Sequence, residues 1–132
     1  MTPPTFDTQW TTLFAIASGG AIGSLLRYLT SWYSNYLGLF SSTLVVNLSG
    51  SFLLGLLAGM PWDNHGLSPI VKMALTTGLL GAFTTFSTFS VENAQLFQRE
   101  NWTILTLNVL LQVIGGICMA FLGLYLGNKW NG

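Results

Sequence analysis

The sequence predicts an all-α membrane protein with four transmembrane helices in a single domain, residues 1–132. Only 6% of its residues are charged, whereas a soluble domain carries about 25%. The charged side chains also leave four long uncharged runs, at 8–26, 28–62, 73–91 and 101–128. A helix needs roughly 20 apolar residues to cross a bilayer, so each run can supply one span.

The first two helices are predicted at about 10–31 and 43–60. The intervening stretch "YLTSWYSNYLGLFSS" is polar and aromatic, so we interpret it as an interfacial connection. The chain starts with "MTPPTFDTQW", which lacks the basic region of a signal peptide. The first helix is therefore expected to stay in the mature protein.

The third and fourth helices are predicted at about 69–97 and 101–127. Pro69 suits the first turn of the third helix, where a missing backbone N–H costs nothing. All five tryptophans fall near predicted helix ends, as in the aromatic belts of membrane interfaces. They are Trp10, Trp32, Trp62, Trp102 and Trp130.

An even number of spans places both termini on one side, but the charges do not say which side. Lys72 and Lys129 lie on the face with the termini. Arg99 lies on the opposite face, with Arg27 near the end of the first helix. Because each face carries two positive charges, the positive-inside rule predicts no orientation. Either few charges fell evenly by chance, or the chain inserts in both orientations and pairs antiparallel.

Small residues recur at four-residue spacing in three of the predicted helices. The pairs are Gly19–Gly23, Gly55–Gly59, Gly116–Ala120 and Gly123–Gly127. In lipid, where no hydrophobic effect draws helices together, such faces allow close backbone contact. We therefore expect helix packing at these faces, within or between subunits.

Polar side chains at membrane depth should face protein or water, because lipid exposure is costly. The second helix places Thr43, Asn47 and Ser51 on one face. The fourth helix carries Asn108 and Gln112, also four residues apart. The amide of Asn47 offers two N–H donors to an anion. The alternative is that these groups only form hydrogen bonds between helices.

The third helix carries five hydroxyl side chains that cannot share one helical face: Thr84, Thr85, Ser87, Thr88 and Ser90. Gly78 and Gly81 lower the helix propensity further, so we predict a break in mid-membrane near residues 81–84. A break frees backbone carbonyls, which are hard oxygen ligands that suit a cation. The alternative is that the hydroxyls bond back one turn and the helix only bends.

Phe83, Phe86 and Phe89 follow at intervals of three, a spacing that usually indicates packing. Ring edges carry positive partial charge, so beside hydroxyl and amide donors they also suit a weakly attractive path for an anion. Arg27 either snorkels to the headgroups or lines a vestibule that concentrates anions. Glu92 is either the partner of Arg27 or a solvated acid at a helix end.

Several classes of function are excluded or disfavoured. Zero net charge without a basic run gives no indication of nucleic-acid binding. The lone Cys118 can form neither an internal disulfide nor a cysteine metal site. An enzyme is not expected, since no histidine or aspartate within the spans would activate a serine. A proton-coupled exporter would need an acid deeper than Glu92. An accessory protein with its polar residues as helix contacts is the other alternative.

Three motifs resemble the Fluc (CrcB) family of fluoride channels. They are "GGAIGSLLRY" in the first helix, "STLVVNLSGSF" in the second and "TTGLLGAFTTFSTFSVE" in the third. The resemblance implies an antiparallel, dual-topology homodimer with two pores and a structural sodium ion at the two-fold axis. Such a channel lies in the bacterial plasma (inner) membrane and passively exports fluoride that has accumulated in the cytoplasm.

The resemblance also implies roles for individual residues. The sodium ligands would be the main-chain carbonyls of Gly81 and Thr84 from both subunits, and Arg27 would lie near the vestibule. The fluoride pore would use Asn47, Phe86, Phe89, Thr85, Ser87, Thr88 and Gln112. Two residues depart from the family pattern: Gln112, where many relatives carry a small hydroxyl residue, and Ala82, where a second glycine is common. Gln112 keeps N–H donors, so we expect the pore to survive.

Overall fold

The computed structural model describes residues 6–38, 41–62 and 68–130, and the regular elements within these ranges are all helical. Four helices are long and apolar enough to cross a membrane: Gln9–Tyr36, Ser42–Gly59, Pro69–Gln98 and Trp102–Lys129. The predicted fold class is therefore confirmed as an all-α chain with four candidate membrane spans.

Helix α1, Phe6–Tyr36, continues well beyond its predicted end at residue 31. The predicted end of the first helix at residue 31 is therefore wrong, because residues 32–36 of the stretch interpreted as a connection are helical. Polar and aromatic side chains do not end a helix by themselves, and residues 24–37 contain neither proline nor glycine. The helix ends just before Gly38, whose φ of +65° is a conformation that glycine adopts readily.

Helix α2, Ser42–Gly59, agrees with its predicted bounds within one residue. Ser41 caps it, because its Oγ accepts a hydrogen bond from the backbone N–H of Leu44 at 3.2 Å. Val46, in the first half of α2, is only 1% exposed and is the most buried apolar side chain of the described residues. Buried residues occur along the whole of α2, from Thr43 to Gly59, so this helix lies at the centre of the described fold.

Helix α3 covers residues 69–83 and forms the first part of the third span. Ser68 caps it, and Pro69 occupies its first turn. The position of Pro69 confirms the prediction made for it. The segment Ala74–Leu80 has π-helical geometry, which the sequence did not predict. A π-helical turn takes an extra residue and so changes which side chains share a face.

Thr84 and Thr85 separate α3 from helix α4, Phe86–Gln98. Both have extended backbone, with ψ of 157° and 120°. Helix α5 covers residues 102–129 and is π-helical over Leu111–Gly115. The predicted outer bounds of the last two spans therefore agree with the structure within about two residues.

Glycines let two pairs of helices pack with their backbones in contact. On α1, a methyl group added at Gly23 would overlap the carbonyl oxygen of Leu79 on α3. On α5, a methyl group added at Gly123 would overlap the carbonyl oxygen of Phe52 on α2. The close packing predicted for the small-residue faces is therefore confirmed within one chain.

We expect replacement of Gly19 by alanine to destabilise the fold and replacement of its neighbour Gly20 not to. A methyl group at Gly19 would overlap the carbonyl oxygen of Ala74, whereas the nearest atom to one at Gly20 is the carbonyl oxygen of Gly78, at 3.9 Å. Overpacking at Gly19 should cost about 1–3 kcal/mol. At Gly20, helix propensity should stabilise the fold by up to about 1 kcal/mol. Thermal unfolding of both variants in one detergent measures the difference, and equal transition temperatures would contradict the packing.

Much of the apolar surface is not covered by the chain itself. Only 11% of the most apolar stretch of α1 is buried, and the fraction for α5 is the same. Phe14 on α1 and Phe121 on α5 are 71% and 68% exposed. Such faces are suited to lipid or to another membrane protein.

Candidate functional site

The peptide of Thr85, between α3 and α4, pairs with the side-chain amide of Asn47 on α2. The Thr85 N–H donates to Asn47 Oδ1 at 2.9 Å, and Asn47 Nδ2 donates to the Thr85 carbonyl oxygen at 3.0 Å. The N–H and carbonyl of an extended peptide cannot form the hydrogen bonds of a helix. Where such a peptide is part-buried, these groups need other hydrogen-bond partners. Asn47 supplies both partners from a neighbouring helix.

Two main-chain carbonyls lose their usual donors at this interruption. In a continuous helix, the carbonyl of Gly81 would accept from the N–H of Thr85. The carbonyl of Thr84 would accept from the N–H of Thr88 in the same way. Here the Thr85 N–H donates to Asn47, and the Thr88 N–H donates to Thr85 Oγ1 at 3.3 Å. Carbonyl oxygens relieved of these donors have the chemistry of ligands for a hard cation.

The hydroxyls around the interruption behave in two ways. Those of Thr84 and Ser90 bond back to carbonyl oxygens one turn earlier, at 2.9 and 3.0 Å. The Thr85 hydroxyl instead lies 3.1 Å from that of Thr88 and 3.2 Å from that of Ser87. Hydrogen bonds from hydroxyls to carbonyls one turn earlier therefore occur alongside the two extended residues. The hydroxyls of Thr85, Ser87 and Thr88 form a cluster where α4 begins.

A chain of side-chain amides connects α2 with α5 and α4. Asn47 Nδ2 donates to Gln112 Oε1 at 2.6 Å, and Gln112 Nε2 donates to Asn108 Oδ1 at 3.1 Å. Asn108 Nδ2 then donates to Asn93 Oδ1 at 3.2 Å. Asn93 Nδ2 donates to the carbonyl oxygen of Phe89 at 2.8 Å, where the chain ends. We refer to these four side chains, Asn47, Gln112, Asn108 and Asn93, as the amide chain.

Two members of the amide chain are almost fully buried. Asn108 is 1% exposed and Gln112 is 8% exposed. Gln112 also lies in the π-helical turn of α5, and such turns are frequent at functional sites. Buried amides of this kind have to be hydrogen-bonded, and the described residues contain no buried side-chain nitrogen or oxygen without a partner.

Phe86 and Phe89 lie side by side on α4, with ring centroids 5.6 Å apart and ring planes tilted by 49°. Both line a groove of about 390 Å³ whose walls include Asn47 and Gln112; we call it the Phe86 groove. Phe86 is 77% exposed, so its ring contributes little to packing within the chain. Phe83 lies apart from this groove and close to α2. The three phenylalanines of the predicted stripe therefore do not share one environment.

Arg27 lines a separate cavity of about 370 Å³ together with Thr43 and Thr85. The carboxylate of Glu92 accepts hydrogen bonds from the hydroxyls of Ser41 and Thr43. Glu92 is therefore held by residues at the start of α2 rather than by Arg27. Arg27 instead lines a cavity that it shares with Thr85, between α3 and α4.

The structure brings five of the predicted pore residues into one cluster: Asn47, Thr85, Phe86, Phe89 and Gln112. Ser87 and Thr88 are exposed at the start of α4. Sequence reasoning missed Asn93, although a signal for it existed. Asn93 and Asn108 lie at nearly equal distances along the chain from the turn at 99–101, and helices joined by a short turn are antiparallel neighbours. That symmetry places the two asparagines opposite each other.

Known proteins are similar to this chain over most of its length. Residues 14–124 match the family model described as CrcB-like protein, Camphor Resistance (CrcB). A relative from Staphylococcus saprophyticus, fluoride-specific ion channel FluC 2, is 40% identical over 84% of this chain and 92% of its own length. FluC 1 from Staphylococcus aureus is 42% identical over 83% of this chain and 90% of its own.

A third relative, fluoride-specific ion channel FluC from Campylobacter jejuni, is 44% identical over 85% of this chain and 93% of its own length. The motifs quoted above from the first three helices all lie within the matched residues. With four candidate membrane spans and relatives this similar along nearly their whole length, the chain belongs to the CrcB family.

Proposed function

We propose that this chain is a passive, fluoride-selective ion channel that exports cytoplasmic fluoride across the bacterial plasma membrane. The observation that carries the proposal is the Phe86 groove, where the amides of Asn47 and Gln112 meet two phenyl rings on a largely apolar surface. The relatives' names support it, since each is called a fluoride-specific ion channel.

A small anion loses water when it enters a narrow path, so the path has to offer other donors. Amide N–H groups and positive ring edges can replace part of that hydration without a fixed charge that would trap the ion. The N–H groups of Asn47 already bind Thr85 and Gln112, so a passing anion competes with existing hydrogen bonds. Its contacts are therefore individually weak, as conduction requires.

Other proposed pore residues extend the path beyond the groove. The clustered hydroxyls of Thr85, Ser87 and Thr88 offer further donors where α4 begins. Thr85 and Thr88 also line the cavity that contains Arg27. The charge of Arg27 would raise the anion concentration in that vestibule.

We propose an antiparallel homodimer with two pores as the functional unit. The exposed apolar faces of α1 and α5 leave room for a second copy, and the even charge distribution favours neither orientation. Asn128→Cys, in a chain that also carries Cys118→Ser, places one cysteine at the exposed end of α5. An impermeant thiol reagent should label it from both sides of the membrane. Labelling from one side only would overturn the dual orientation.

We further propose that Thr84 and Thr85 break the third span at mid-membrane, where the carbonyls of Gly81 and Thr84 from both copies hold a sodium ion. Both N–H groups that would normally bind these carbonyls donate elsewhere, which supports this assignment. Carbonyl oxygens are hard ligands and so suit a hard cation. When bound, the ion supplies a positive charge shared by the two chains. Replacing sodium by N-methyl-D-glucamine should lower the thermal stability of the dimer. Equal stability in both media would contradict the site.

Ion efflux from liposomes that contain the purified protein tests the proposed function. Liposomes that contain the protein are expected to release fluoride quickly and to retain chloride. Empty liposomes are expected to release neither anion. Equal release of both anions would contradict fluoride selectivity. Proton-coupled release of an organic cation without fluoride release would instead show an exporter.

A further inference from the structure

We propose that Asn93 and Asn108 are positioning residues that orient the side-chain amide of Gln112 in the Phe86 groove. This inference rests on the proposed function. Gln112 lines the groove, whereas Asn108 lines a different, polar cavity that also contains Glu92. The two asparagines therefore act on the groove through the hydrogen bonds of the amide chain.

The direction of the amide chain is fixed at its α4 end. The carbonyl oxygen of Phe89 can only accept, so Asn93 has to turn its nitrogen toward it. The oxygen of Asn93 then faces Asn108 and accepts from Asn108 Nδ2. Asn108 in turn presents its oxygen to Gln112 Nε2. Each amide thereby sets the orientation of the next.

The opposite end of the amide chain imposes the same direction independently. The N–H and carbonyl of Thr85 fix which way the amide of Asn47 points. Asn47 Nδ2 is thereby directed to Gln112 and needs an acceptor there, which Gln112 Oε1 supplies. Since both ends demand the same orientation of Gln112, a flip of its amide would set donor against donor and acceptor against acceptor.

This arrangement leaves one defined donor on Gln112. A primary amide carries two N–H groups, and the amide chain uses one of those on Gln112, for Asn108. The other N–H belongs to a side chain that lines the Phe86 groove and is held in a single orientation. Without Asn108, Gln112 would keep only the hydrogen bond from Asn47 to its oxygen. Its nitrogen would have no fixed partner, so the side chain would be less restricted about its several bonds and would offer that donor only part of the time.

Fluoride efflux from liposomes tests the proposal with Asn108→Leu and the milder Asn93→Ala, since Asn93 is less buried. Each is made alone and in a chain carrying Gln112→Leu. Asn128→Leu, an exposed asparagine on the same helix as Asn108, is the matched control. We expect each single positioning variant to slow efflux about tenfold, from the loss of one buried amide partner, and the control to match the wild type.

The double variants separate positioning from a general structural effect. If Asn93 and Asn108 act through Gln112, neither substitution should slow efflux further once Gln112 is leucine. Equal slowing in the presence and in the absence of Gln112 would overturn the proposal. Wild-type protein that releases no fluoride would instead refute the proposed function.

A second readout does not depend on transport. The side-chain amide NMR signals of the full-length protein labelled with ¹⁵N-glutamine include those of Gln112, identified by their loss in Gln112→Leu. We expect Asn93→Ala to shift these signals and Asn128→Leu to leave them in place. Gln112 signals that Asn93→Ala does not move would overturn the positioning role even in a working channel.

Discussion

Replacement of Phe86 or Phe89 by isoleucine is expected to slow fluoride efflux about tenfold or more, while the protein stays folded and assembled. Isoleucine is apolar but has no ring edge with positive partial charge. Loss of roughly 1.4 kcal/mol of stabilisation for the ion in transit corresponds to a tenfold change. Because the Phe86 side chain is 77% exposed, its replacement leaves little void within the chain.

Phe14→Ile is the matched control for these two variants. Phe14 is 71% exposed, on α1, and it does not line the Phe86 groove. Efflux assays and size-exclusion chromatography on the three variants separate a loss of conduction from a loss of assembly. Wild-type efflux in both Phe86→Ile and Phe89→Ile would remove the rings from the proposed path.

Asn47→Asp should suppress fluoride efflux almost completely, for two reasons. A carboxylate can accept from the Thr85 N–H but can donate neither to the Thr85 carbonyl nor to Gln112, so two of the three hydrogen bonds of Asn47 are lost. The new charge would also repel the anion. At about 4 Å and an effective dielectric constant of about 20, that repulsion is roughly 4 kcal/mol, or about a thousandfold in rate.

Asn128→Asp introduces the same charge at the exposed end of α5 and should leave efflux nearly unchanged. Measured efflux rates of Asn47→Asp, Asn128→Asp and wild-type protein at one fluoride gradient provide the comparison. Normal conduction by Asn47→Asp would show that the anion does not pass near this amide. Equal suppression by both variants would point to net charge rather than to the position of the carboxylate.

The number and approximate bounds of the spans could be predicted because uncharged length and tryptophan placement depend on the membrane alone. The end of α1 could not, since its last turns are polar and aromatic yet contain no residue that breaks a helix before Gly38. The π-helical turns in α3 and α5 were also missed. Such turns depend on how the helix packs against its neighbours. The hydrophobic periodicity of a single sequence does not reveal that packing.

For the candidate site, the sequence singled out Asn47, Gln112 and the hydroxyl-rich segment, because polar groups stand out in an apolar span. It left open whether the amides face an ion or bind other helices, and the structure shows that Asn47 and Gln112 both line a groove and bind neighbours. The pairing of Asn47 with the Thr85 peptide joins α2 to the third span, and contacts so far apart in sequence leave no local signature. Asn93 differs, because its distance from the turn at 99–101 nearly equals that of Asn108 and so offered a signal that was not used.

A structure of the protein in lipid nanodiscs, determined with fluoride present, tests most directly whether the Phe86 groove conducts. We predict ordered water or anion density between Gln112, Asn47 and the two rings, on a face shielded from lipid by the second copy of the chain. Acyl chains packed against Phe86 and Phe89, with no polar route beside them, would contradict the proposed path.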